Sequence, residues 1–467
     1  MMLKNKKILL VGLGRLGGGV AAARFFISHG ARLTVSDALS KEILRPSLKK
    51  LRGLPITYEL GVPTPKNIGH YEMIVCNQAV SLHSDVVQRA KKAHIPFFND
   101  FTTLLHLLKT QPHQPYIGVT GTRGKTTITT WIGHLMQPAL VGGNMPRNGS
   151  FTIFEKIVHA PQRPIVLELS SFQLEYVQKG MEAPHVAVVS NLYQDHLNRH
   201  GTMEAYAQSK AWIFKNQTSK DILILNADTP STKTFLALKP KAHLWLVSRK
   251  KLARGVCGMY EQRGVLYFQT KTDTHEILQV PETYQNHHMY NLMQALCAAR
   301  AYGTAWSHIV QRVSTLPQVP FRQQIILQND VYTVVNDSAA TSPEGAIAAI
   351  QNCVPHTGPY AFICGGTDKQ LDFTPLARVI KKDISPQRLF LLQGSGTKKL
   401  LQALIKEKYP LKMKQVFETL EELLQEVKKK TPRGSIVFSP ACASFEKFKN
   451  EFNRGRKFTA FAKKYFV

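Results

Sequence analysis

A glycine-rich turn at residues 121–127 constrains the fold of this chain more than any other feature. The run Gly-Thr-Arg-Gly-Lys-Thr-Thr follows an apolar stretch, Tyr116 to Val119, and leads into a helix-like stretch, Thr129 to Met136. A strand, a glycine turn and a helix N-terminus make an anion site, because backbone N–H groups and the helix dipole face a phosphate. Lys125 adds positive charge, and a threonine hydroxyl can hold Mg²⁺. The sequence therefore predicts a nucleoside triphosphate site, with a surface turn as the alternative, since Val119 stands where the strict Walker pattern has glycine.

The N-terminal block also places a glycine turn between a strand and a helix. Gly12, Gly14 and Gly17 follow the apolar run of residues 8–11, and Asp37 ends a second predicted strand twenty residues beyond Gly17. That spacing fits a Rossmann fingerprint whose carboxylate binds a ribose. The pattern positions a nucleotide phosphate, but it leaves open whether the nucleotide is NAD, FAD or a nucleotide sugar.

The rest of the chain repeats short apolar runs that end in polar residues. Such runs are typical of buried parallel strands whose C-terminal ends carry function. Helical stretches alternate with them, and 467 residues are too many for one ordinary core. We therefore predict an α/β protein of three domains, each on a mainly parallel sheet, over residues 1–110, 111–315 and 316–467, with a linker at 110–115. The first and third are expected to be Rossmann-like, and the central one a P-loop-type ATPase domain.

Composition narrows the class of protein. Hydrophobic residues make up 43% of the chain and charged residues 19%, which is ordinary globular usage. The six cysteines form no Cys-x-x-Cys pair, so we expect free thiols in a reducing cytosol and no metal held by sulfur. The apolar run near the N-terminus is too broken for a signal peptide, and none approaches the roughly 18 residues of a membrane span. We therefore expect a cytoplasmic protein.

The formal net charge of +29 raises the alternative of a nucleic-acid or anionic-membrane partner. The lysines are spread along the chain, with only short clusters such as residues 428–430. No RNA-binding aromatic signature or zinc-finger spacing accompanies them. We therefore expect small-molecule substrates, no specific nucleic-acid partner and a monomer.

Polar residues at predicted strand ends supply candidate chemistry. Glu168 ends one apolar run, and Asp195 and His196 follow another. Beside a phosphate loop such groups can hold Mg²⁺ that bridges phosphate oxygens, although each alone is also an ordinary polar strand end. Lys210 lies on a helix-like stretch of residues 206–214, where composition alone favours a solvated or snorkelling lysine.

In their order along the chain, these motifs resemble those of the Mur ligases of peptidoglycan synthesis. The matching segments are the glycine turn at 121–127, Leu-Glu-Leu-Ser-Ser-Phe-Gln-Leu-Glu at 167–175, Asp195-His196, Asn-Ala-Asp at 226–228, Asn-Asp-Ser at 336–338 and Ser-Pro-Ala-Cys-Ala-Ser-Phe-Glu-Lys-Phe-Lys-Asn at 439–450. The segments at 167–175 and 439–445 are similar to those of members that add D-glutamate to UDP-N-acetylmuramoyl-L-alanine. Another Mur ligase, or a folylpolyglutamate-synthase-like enzyme, remains an alternative because fold and ATP chemistry are shared.

The resemblance implies a ligase that uses ATP and Mg²⁺ to phosphorylate a substrate carboxylate, so that the D-glutamate amine attacks the acyl phosphate. The three domains would then bind the UDP-sugar, ATP and the amino acid in that order. The implied ATP contacts are Gly121, Thr122, Arg123, Gly124, Lys125, Thr126, Thr127, Asn291, Arg322 and Asp337. The implied metal ligands are Thr126, Glu168, His196 and a carbamate on Lys210. The implied catalytic residues are Lys125, Glu168, His196 and Lys210. The implied UDP-sugar contacts are Gly14, Arg15, Leu16, Asp37, Asn144, Ser170 and Gln173, and the implied D-glutamate contacts are Thr341, Lys369, Ser444 and Phe445.

The chain departs from the family's pattern at several of its contact positions. The departures are Arg15-Leu16 beside the expected uracil, Asn77-Gln78-Ala79 in place of Ser-Pro-Gly, His288 in place of an asparagine, Ala339 in place of a lysine, and Glu451 in place of an aromatic residue. They predict changes in single contacts. A dehydrogenase hypothesis remains as an alternative, but it rests on the first block alone.

Overall fold

The computed structural model describes a mixed α/β protein. It covers all residues except 1–2, 16, 63, 66, 110–114, 146–148, 281–283, 285–286, 356 and 412–414, and the side chain of His287. The linker expected at 110–115 falls almost entirely outside the described residues, and so does the candidate contact Leu16. Among the helices that the structure describes, none has the length and apolar character to cross a membrane.

The first sheet has five parallel strands. They are β1 (Lys7–Val11), β2 (Arg32–Asp37), β3 (Ile56–Leu60), β4 (Met73–Cys76) and β5 (Phe97–Phe98), in the spatial order β3-β2-β1-β4-β5. The helices of this region are α1 (Gly18–Ser28), α2 (Lys41–Lys49), α3 (Asp85–Lys92) and α4 (Asp100–Leu108). The strand order reverses between β1 and β4, and open parallel sheets bind ligands in the crevice at such a reversal. The loops after β1 and β4 therefore position any ligand of this sheet.

The second sheet has nine strands in the order β14-β13-β12-β11-β10-β9-β6-β8-β7. They are β6 (Tyr116–Thr120), β7 (Leu140–Gly143), β8 (Ile165–Glu168), β9 (Val186–Val189), β10 (Ile222–Asn226), β11 (His243–Ser248), β12 (Cys257–Gln262), β13 (Val265–Gln269) and β14 (Thr274–Gln279). The helices are α5 (Lys125–Leu135), α6 (Ser150–His159), α7 (Ser171–Leu174), α8 (Leu197–His200), α9 (Met203–Lys215), α10 (Ser231–Leu236), α11 (His287–Ala301) and α12 (Trp306–Val313). The pairs β12–β13 and β13–β14 are antiparallel, and the other strand pairs of this sheet are parallel.

The third sheet has six strands in the order β15-β16-β20-β17-β18-β19. They are β15 (Gln324–Gln328), β16 (Tyr332–Asn336), β17 (Tyr360–Cys364), β18 (Leu389–Leu392), β19 (Val416–Phe417) and β20 (Gly434–Phe438). The helices are α13 (Pro343–Cys353), α14 (Thr374–Asp383), α15 (Ser395–Lys406), α16 (Leu420–Lys430) and α17 (Glu451–Phe466), with a 3₁₀ turn at Pro386–Arg388. The edge strand β15 is antiparallel, and the other pairs are parallel. The predicted fold class, α/β with mainly parallel sheets, is confirmed.

The central strands are hydrophobic on both faces because helices cover both sides of a parallel sheet. Every residue of β4, β6, β8 and β9 is buried, including Thr120 and Glu168 at the strand ends. These polar residues are the last of their strands. The apolar runs of the sequence therefore end at the edge where polar groups collect.

The described chain forms two compact units. One comprises Met1–Pro281 and Tyr290–Leu316, with the first two sheets, and the other comprises Glu282–Met289 and Pro317–Val467, with the third sheet. In the first unit, Phe25 of α1 packs on Phe151 and Phe154 of α6, with ring centroids 4.9 and 5.6 Å apart. One apolar core therefore spans both sheets of that unit. The three-domain division expected from the sequence stays a prediction.

Candidate active site

The glycine turn at 121–124 connects β6 to the first turn of α5. Gly121 and Gly124 have φ values of 144° and 82°, a region that favours glycine because a side chain would be strained there. The Lys125 Nζ donates to the carbonyl oxygens of Gly121 and Thr122, at 3.0 and 3.2 Å. Asn291 lies against the turn, since a Cβ built on Gly124 would be 2.6 Å from its Oδ1. The predicted strand, glycine turn and helix are all present.

Lys210 of α9 reaches the same turn from the protein interior. It is 1% exposed, and its Nζ donates to the Gly121 carbonyl at 2.8 Å and lies 4.5 Å from the centre of the Tyr206 ring. Burial, and next the positive charge of Lys125, lower the pKa of Lys210 well below its usual value. The structure thus excludes the solvated or snorkelling lysine, and it favours a neutral amine beside the turn.

Glu168 ends β8 and is 3% exposed. Its Oε1 accepts a hydrogen bond from the Asn144 Nδ2 at 3.2 Å, and its backbone carbonyl accepts one from the Asn144 N–H at 2.8 Å. The Oε2 is buried and has no hydrogen-bond partner among the described residues. A buried carboxylate oxygen of this kind is costly unless a cation or a donor completes it.

Asp195 and His196 lie on the loop between β9 and α8. The Asp195 carboxylate is 4% exposed and forms an ion pair with the Arg123 Nη1 at 3.1 Å. His196 adopts a left-handed backbone conformation with φ of 54°, which is uncommon for a residue other than glycine. Its ring is 38% exposed and lies edge-to-face on Phe172, with centroids 4.9 Å apart. Arg123, Asp195 and His196 therefore lie at the edge that also carries Lys125, Glu168 and Lys210.

The carboxylate of Asp37 forms a hydrogen bond to the first glycine turn. Both carboxylate oxygens of Asp37, which is 7% exposed, accept backbone N–H groups, from Gly14 at 2.9 Å and from Leu39 at 2.8 Å. Arg15 is exposed on the same turn. Asn77, from the loop after β4, donates its Nδ2 to the Gly12 carbonyl at 3.2 Å. The loops after β1 and β4 are therefore in direct contact at the switch point.

Ser170 and Gln173 form the N-terminal cap of α7. The Ser170 Oγ accepts from the Gln173 N–H, and the Gln173 Oε1 accepts from the Ser170 N–H, each within 3.2 Å. The Ser170 Oγ also donates to the Gln78 Oε1 at 3.2 Å, across the two sheets of the unit. Gln173 is fully buried, and its amide Nε2 donates to the Asp100 Oδ2 at 2.9 Å. Ser170 therefore faces the switch-point loop, whereas the Gln173 side chain is enclosed.

In the second unit, Asp337 follows β16 and is 5% exposed. It accepts from the Ser439 Oγ at 2.7 Å and from the Gln323 N–H at 3.1 Å. Burial raises the pKa of Asp337 to about 7, against the opposing effects of these hydrogen bonds and of Arg322. Arg322 and Asp337, which were both expected at the nucleotide, are therefore close enough for the charge of Arg322 to act on the Asp337 carboxylate.

The loops after β17 and β20 pair through a short bridge between Thr367 and Ala443. Ser444 is 3% exposed there, and its Oγ is buried without a hydrogen-bond partner among the described residues. Phe445 beside it is 65% exposed. Lys369 and Thr341, the other D-glutamate candidates, are half-buried on the loops after β17 and β16. These strands are neighbours in the sheet, so all four candidates lie at one edge.

Arg454 is fully buried beside these loops. The sequence analysis did not identify it as a site residue. Its guanidinium donates to the Ser338 carbonyl at 2.8 Å and to the Ala443 carbonyl at 3.0 Å. Burial lowers the pKa of Arg454 to about 10. The departures Ala339 and Glu451 lie nearby, where the Ala339 N–H donates to the Phe321 carbonyl and the Glu451 carbonyl accepts from the Ser338 Oγ. Their side chains take no part in these contacts.

Comparison with known proteins identifies the family. Residues 119–299 match the family model described as the Mur ligase middle domain. A UDP-N-acetylmuramoylalanine--D-glutamate ligase from Roseiflexus sp. (strain RS-1) is 34% identical over 467 residues, which covers 98% of each chain. The chain belongs to the Mur ligase family.

Solved Mur ligases share the fold of this family member. The UDP-N-acetylmuramate-alanine ligase MurC from Thermotoga maritima aligns with a TM-score of 0.60 at 18% identity, covering 98% of this chain and 99% of the other. MurF ligase from Thermotoga maritima in complex with ADP aligns with a TM-score of 0.58 at 15% identity, covering 99% and 98%. Membership makes the protein an ATP-dependent ligase of peptidoglycan synthesis, and the dehydrogenase hypothesis is set aside.

The family implies a magnesium ion, and the donor set of this Mur ligase fits one. Mg²⁺ prefers oxygen ligands. The buried Glu168 Oε2 has no hydrogen-bond partner in the part of the chain that the structure describes, and Thr126 lies at the start of α5. The described residues contain no cluster of three or more His, Cys, Asp and Glu side chains that could hold a metal by themselves. Phosphate oxygens, hydroxyl groups or a modified lysine would therefore have to complete the coordination.

Three further side chains of this Mur ligase were missed by the sequence analysis. Arg199 of α8 forms an ion pair with Glu175, which directly follows α7. Asp100, at the start of α4, accepts from the Ser150 Oγ at 2.8 Å. These residues lie far apart in sequence, so no spacing rule could bring them together. For Arg199 and Glu175, the available signal was a charged residue within or beside a recognised motif.

Proposed function

We propose that this Mur ligase adds D-glutamate to UDP-N-acetylmuramoyl-L-alanine, with ATP converted to ADP and phosphate. The name of the Roseiflexus relative supports the acceptor, since that chain is 34% identical over almost its whole length. The observation that carries the chemistry is the convergence of Lys125 and Lys210 on the Gly121 carbonyl beside the buried carboxylate of Glu168. The cation of Lys125, the Lys210 amine and a carboxylate so arranged suit phosphoryl transfer, in which charge moves between oxygens.

In the proposed first step, an oxygen of the substrate carboxylate attacks the γ-phosphorus of ATP. An O–P bond forms, the bond to the β-phosphate oxygen breaks, and ADP leaves. The backbone N–H groups of the turn and Lys125 bind the phosphates, and Lys125 exchanges its present carbonyl partners for phosphate oxygens. Magnesium, held by Thr126, Glu168, His196 and a carbamate on Lys210, would neutralise developing phosphate charge.

In the proposed second step, the D-glutamate amine attacks the carbonyl carbon of the acyl phosphate. A C–N bond forms, the C–O bond breaks, phosphate leaves, and the amine gives up a proton. Ser444, Lys369 and Thr341 supply hydroxyl and ammonium donors that suit the carboxylates of a small dicarboxylic amino acid. The buried Ser444 Oγ has no hydrogen-bond partner within the described part of the chain, which supports this assignment. The cytoplasmic location and the monomeric state stay predictions.

The proposal is tested by phosphate release with ATP, Mg²⁺ and UDP-N-acetylmuramoyl-L-alanine while the amino acid is varied. D-glutamate should support turnover, and L-glutamate, L-alanine, a diamino acid and D-alanyl-D-alanine should not. Lys125→Ala is the matched blank for contaminating phosphatase activity. Equal turnover with another acceptor would reassign the chain within the Mur ligases.

A further inference from the structure

The Arg199 side chain connects the two sheets of the first unit. Arg199 lies on α8, which begins directly after His196. Its Nη1 donates to the Ala79 carbonyl at 2.8 Å, and its Nη2 donates to the Val80 carbonyl at 2.7 Å. The guanidinium lies 5.2 Å from the centre of the Phe172 ring, and the side chain is 13% exposed. A planar guanidinium is therefore fixed between an aromatic ring and two backbone carbonyls.

Glu175, directly after α7, orients this guanidinium. Its carboxylate pairs with the Arg199 Nη2, and its side chain is also 13% exposed. The neighbouring Tyr176 hydroxyl donates to the Val80 carbonyl at 2.9 Å. Charge-assisted hydrogen bonds from a rigid fork hold their partners more firmly than neutral ones do. The carbonyls at positions 79 and 80 are therefore fixed by donors from outside their own sheet.

The loop held in this way, residues 77–80, is one wall of the switch-point crevice. Its first residue contacts the opposite wall, since the Asn77 Nδ2 donates to the Gly12 carbonyl at 3.2 Å. A Cβ built on Gly12 would lie 2.8 Å from the Asn77 Cβ, so the two walls are packed tightly. Gln78 accepts from the Ser170 Oγ at 3.2 Å. A shift of this loop would therefore change the shape of the crevice.

We propose that Arg199 is a positioning residue for the nucleotide sugar. It holds the loop at 77–80 in the conformation that accepts the UDP-sugar, and it joins that loop to the segment that carries His196. The inference rests on the proposed function, because it takes a UDP-sugar as the ligand of the crevice. Lysine cannot replace arginine in this role, since an ammonium group lacks the planar fork that reaches two carbonyls and one carboxylate together.

The test compares Arg199→Lys with Arg312→Lys in the full chain. Arg312 is a matched control, because it is also partly buried in the first unit and its Nη1 donates to backbone carbonyls, at Leu135 and Gln137. The readouts are the Kd for UDP-N-acetylmuramoyl-L-alanine by calorimetry without ATP or metal, the KM for each substrate, and the thermal midpoint. Arg199→Lys should raise the Kd and the KM for the UDP-sugar by about tenfold and leave the KM for ATP unchanged.

Arg312→Lys should lower the thermal midpoint without changing the Kd for the UDP-sugar. Glu175→Gln is a second variant that keeps the size of the side chain and removes its charge, and it should raise the same Kd by a smaller factor. Unchanged Kd and KM in both Arg199→Lys and Glu175→Gln, with a wild type that binds the UDP-sugar, would overturn the positioning role alone. A wild type that binds no UDP-sugar would overturn the proposed function as well.

Discussion

The two glycine turns of the first unit have similar backbone conformations but differ in the side chains that form hydrogen bonds to them. Gly17 and Gly124 each directly precede an α-helix. Both glycines have a left-handed backbone conformation, with φ of 101° and 82° and the same ψ of −15°. In the first turn the Asp37 carboxylate accepts from the Gly14 N–H. In the second, Lys125 and Lys210 donate to the Gly121 carbonyl. The residues around a turn, and not its glycines, therefore decide its chemistry.

The difference assigns opposite tasks to the two turns. A carboxylate in the first turn repels phosphate near Gly14 and accepts hydrogen bonds, which suits the hydroxyl groups of a ribose. The ammonium group of Lys125 in the second turn attracts phosphate, and the buried Glu168 near it suits a metal cation. If this comparison is correct, substitutions in each turn should affect different substrates.

The largest effect is expected for Lys125→Ala. Removing this cation should lower ATP-dependent phosphate release by about 10²–10³-fold, because a preorganised charge stabilises the transferring phosphoryl group. UDP-sugar affinity and the thermal midpoint should stay close to those of the wild type. Lys233→Ala, at an exposed lysine of α10, is the control for loss of one positive charge in the same unit. Turnover like that of the wild type in Lys125→Ala would remove the second turn from the ATP site.

The next effect is expected for Lys210→Ala, since Lys210 is proposed to act as a carbamate. Burial lowers the pKa of the Lys210 amine, which favours the neutral, nucleophilic form that can bind CO₂, and the resulting carbamate would supply an oxygen ligand. Activity should fall by about 10–100-fold, as for loss of a group that supports a metal site, and a short carboxylic acid such as acetate should restore part of it. Lys215→Ala, at an exposed lysine of the same helix, should behave as the wild type. Full activity of Lys210→Ala without added acid would contradict the carbamate.

A smaller and different effect is expected in the first turn. Asp37→Ala should raise the KM for the UDP-sugar by about tenfold, because hydrogen bonds to a charged group are lost, and it should leave the KM for ATP unchanged. Asp37→Asn, which keeps one side-chain oxygen acceptor, should fall between Asp37→Ala and the wild type. Calorimetry should detect uridine-nucleotide binding and no NAD(H) binding. A rise in the KM for ATP alone would contradict the division of tasks between the turns.

The fold could be predicted because parallel strands leave a local signal. Apolar runs that end in polar residues predicted strands within 73–76, 165–168, 331–337 and 360–366, and the structure has β4, β8, β16 and β17 there. The strands β12 to β14 were not predicted; of these, β14 has an exposed, mostly polar sequence that breaks up the apolar pattern, whereas β13 is an apolar run that the sequence analysis missed. The start of α5 was predicted less accurately than β4, β8, β16 and β17, because the helix begins at Lys125, four residues before the helix-like stretch that indicated it.

The candidate site could be predicted only in part. Motifs carry the residues of one turn, such as Lys125, but a contact between loops depends on packing that spacing does not record. The burial of Lys210 is an example, because composition favoured a solvated lysine and the structure encloses it. The pair formed by Arg199 and Glu175 is another, since each residue lies in or beside a motif but the partner lies on a different element. Long-range side-chain contacts of this kind need the three-dimensional structure.

The smallest effect is expected for alanine substitutions at Gly17 and Gly124, which test how tightly each turn is packed. Gly17→Ala should destabilise the protein by about 1–2 kcal/mol, because alanine is strained in the left-handed region, while no described residue other than its chain neighbours lies within 4 Å of the new Cβ. Gly124→Ala should cost more, since its Cβ would lie 2.6 Å from the Asn291 Oδ1 and 3.6 Å from the Ile128 Cδ1. Thermal midpoints of both variants, and of Gly124→Ala combined with Asn291→Ala, measure the difference. The double variant should recover the part due to crowding and retain the part due to strain. If Gly124→Ala were no more destabilising than Gly17→Ala, the second turn would not be tightly held by Asn291, and only charge would separate the two turns.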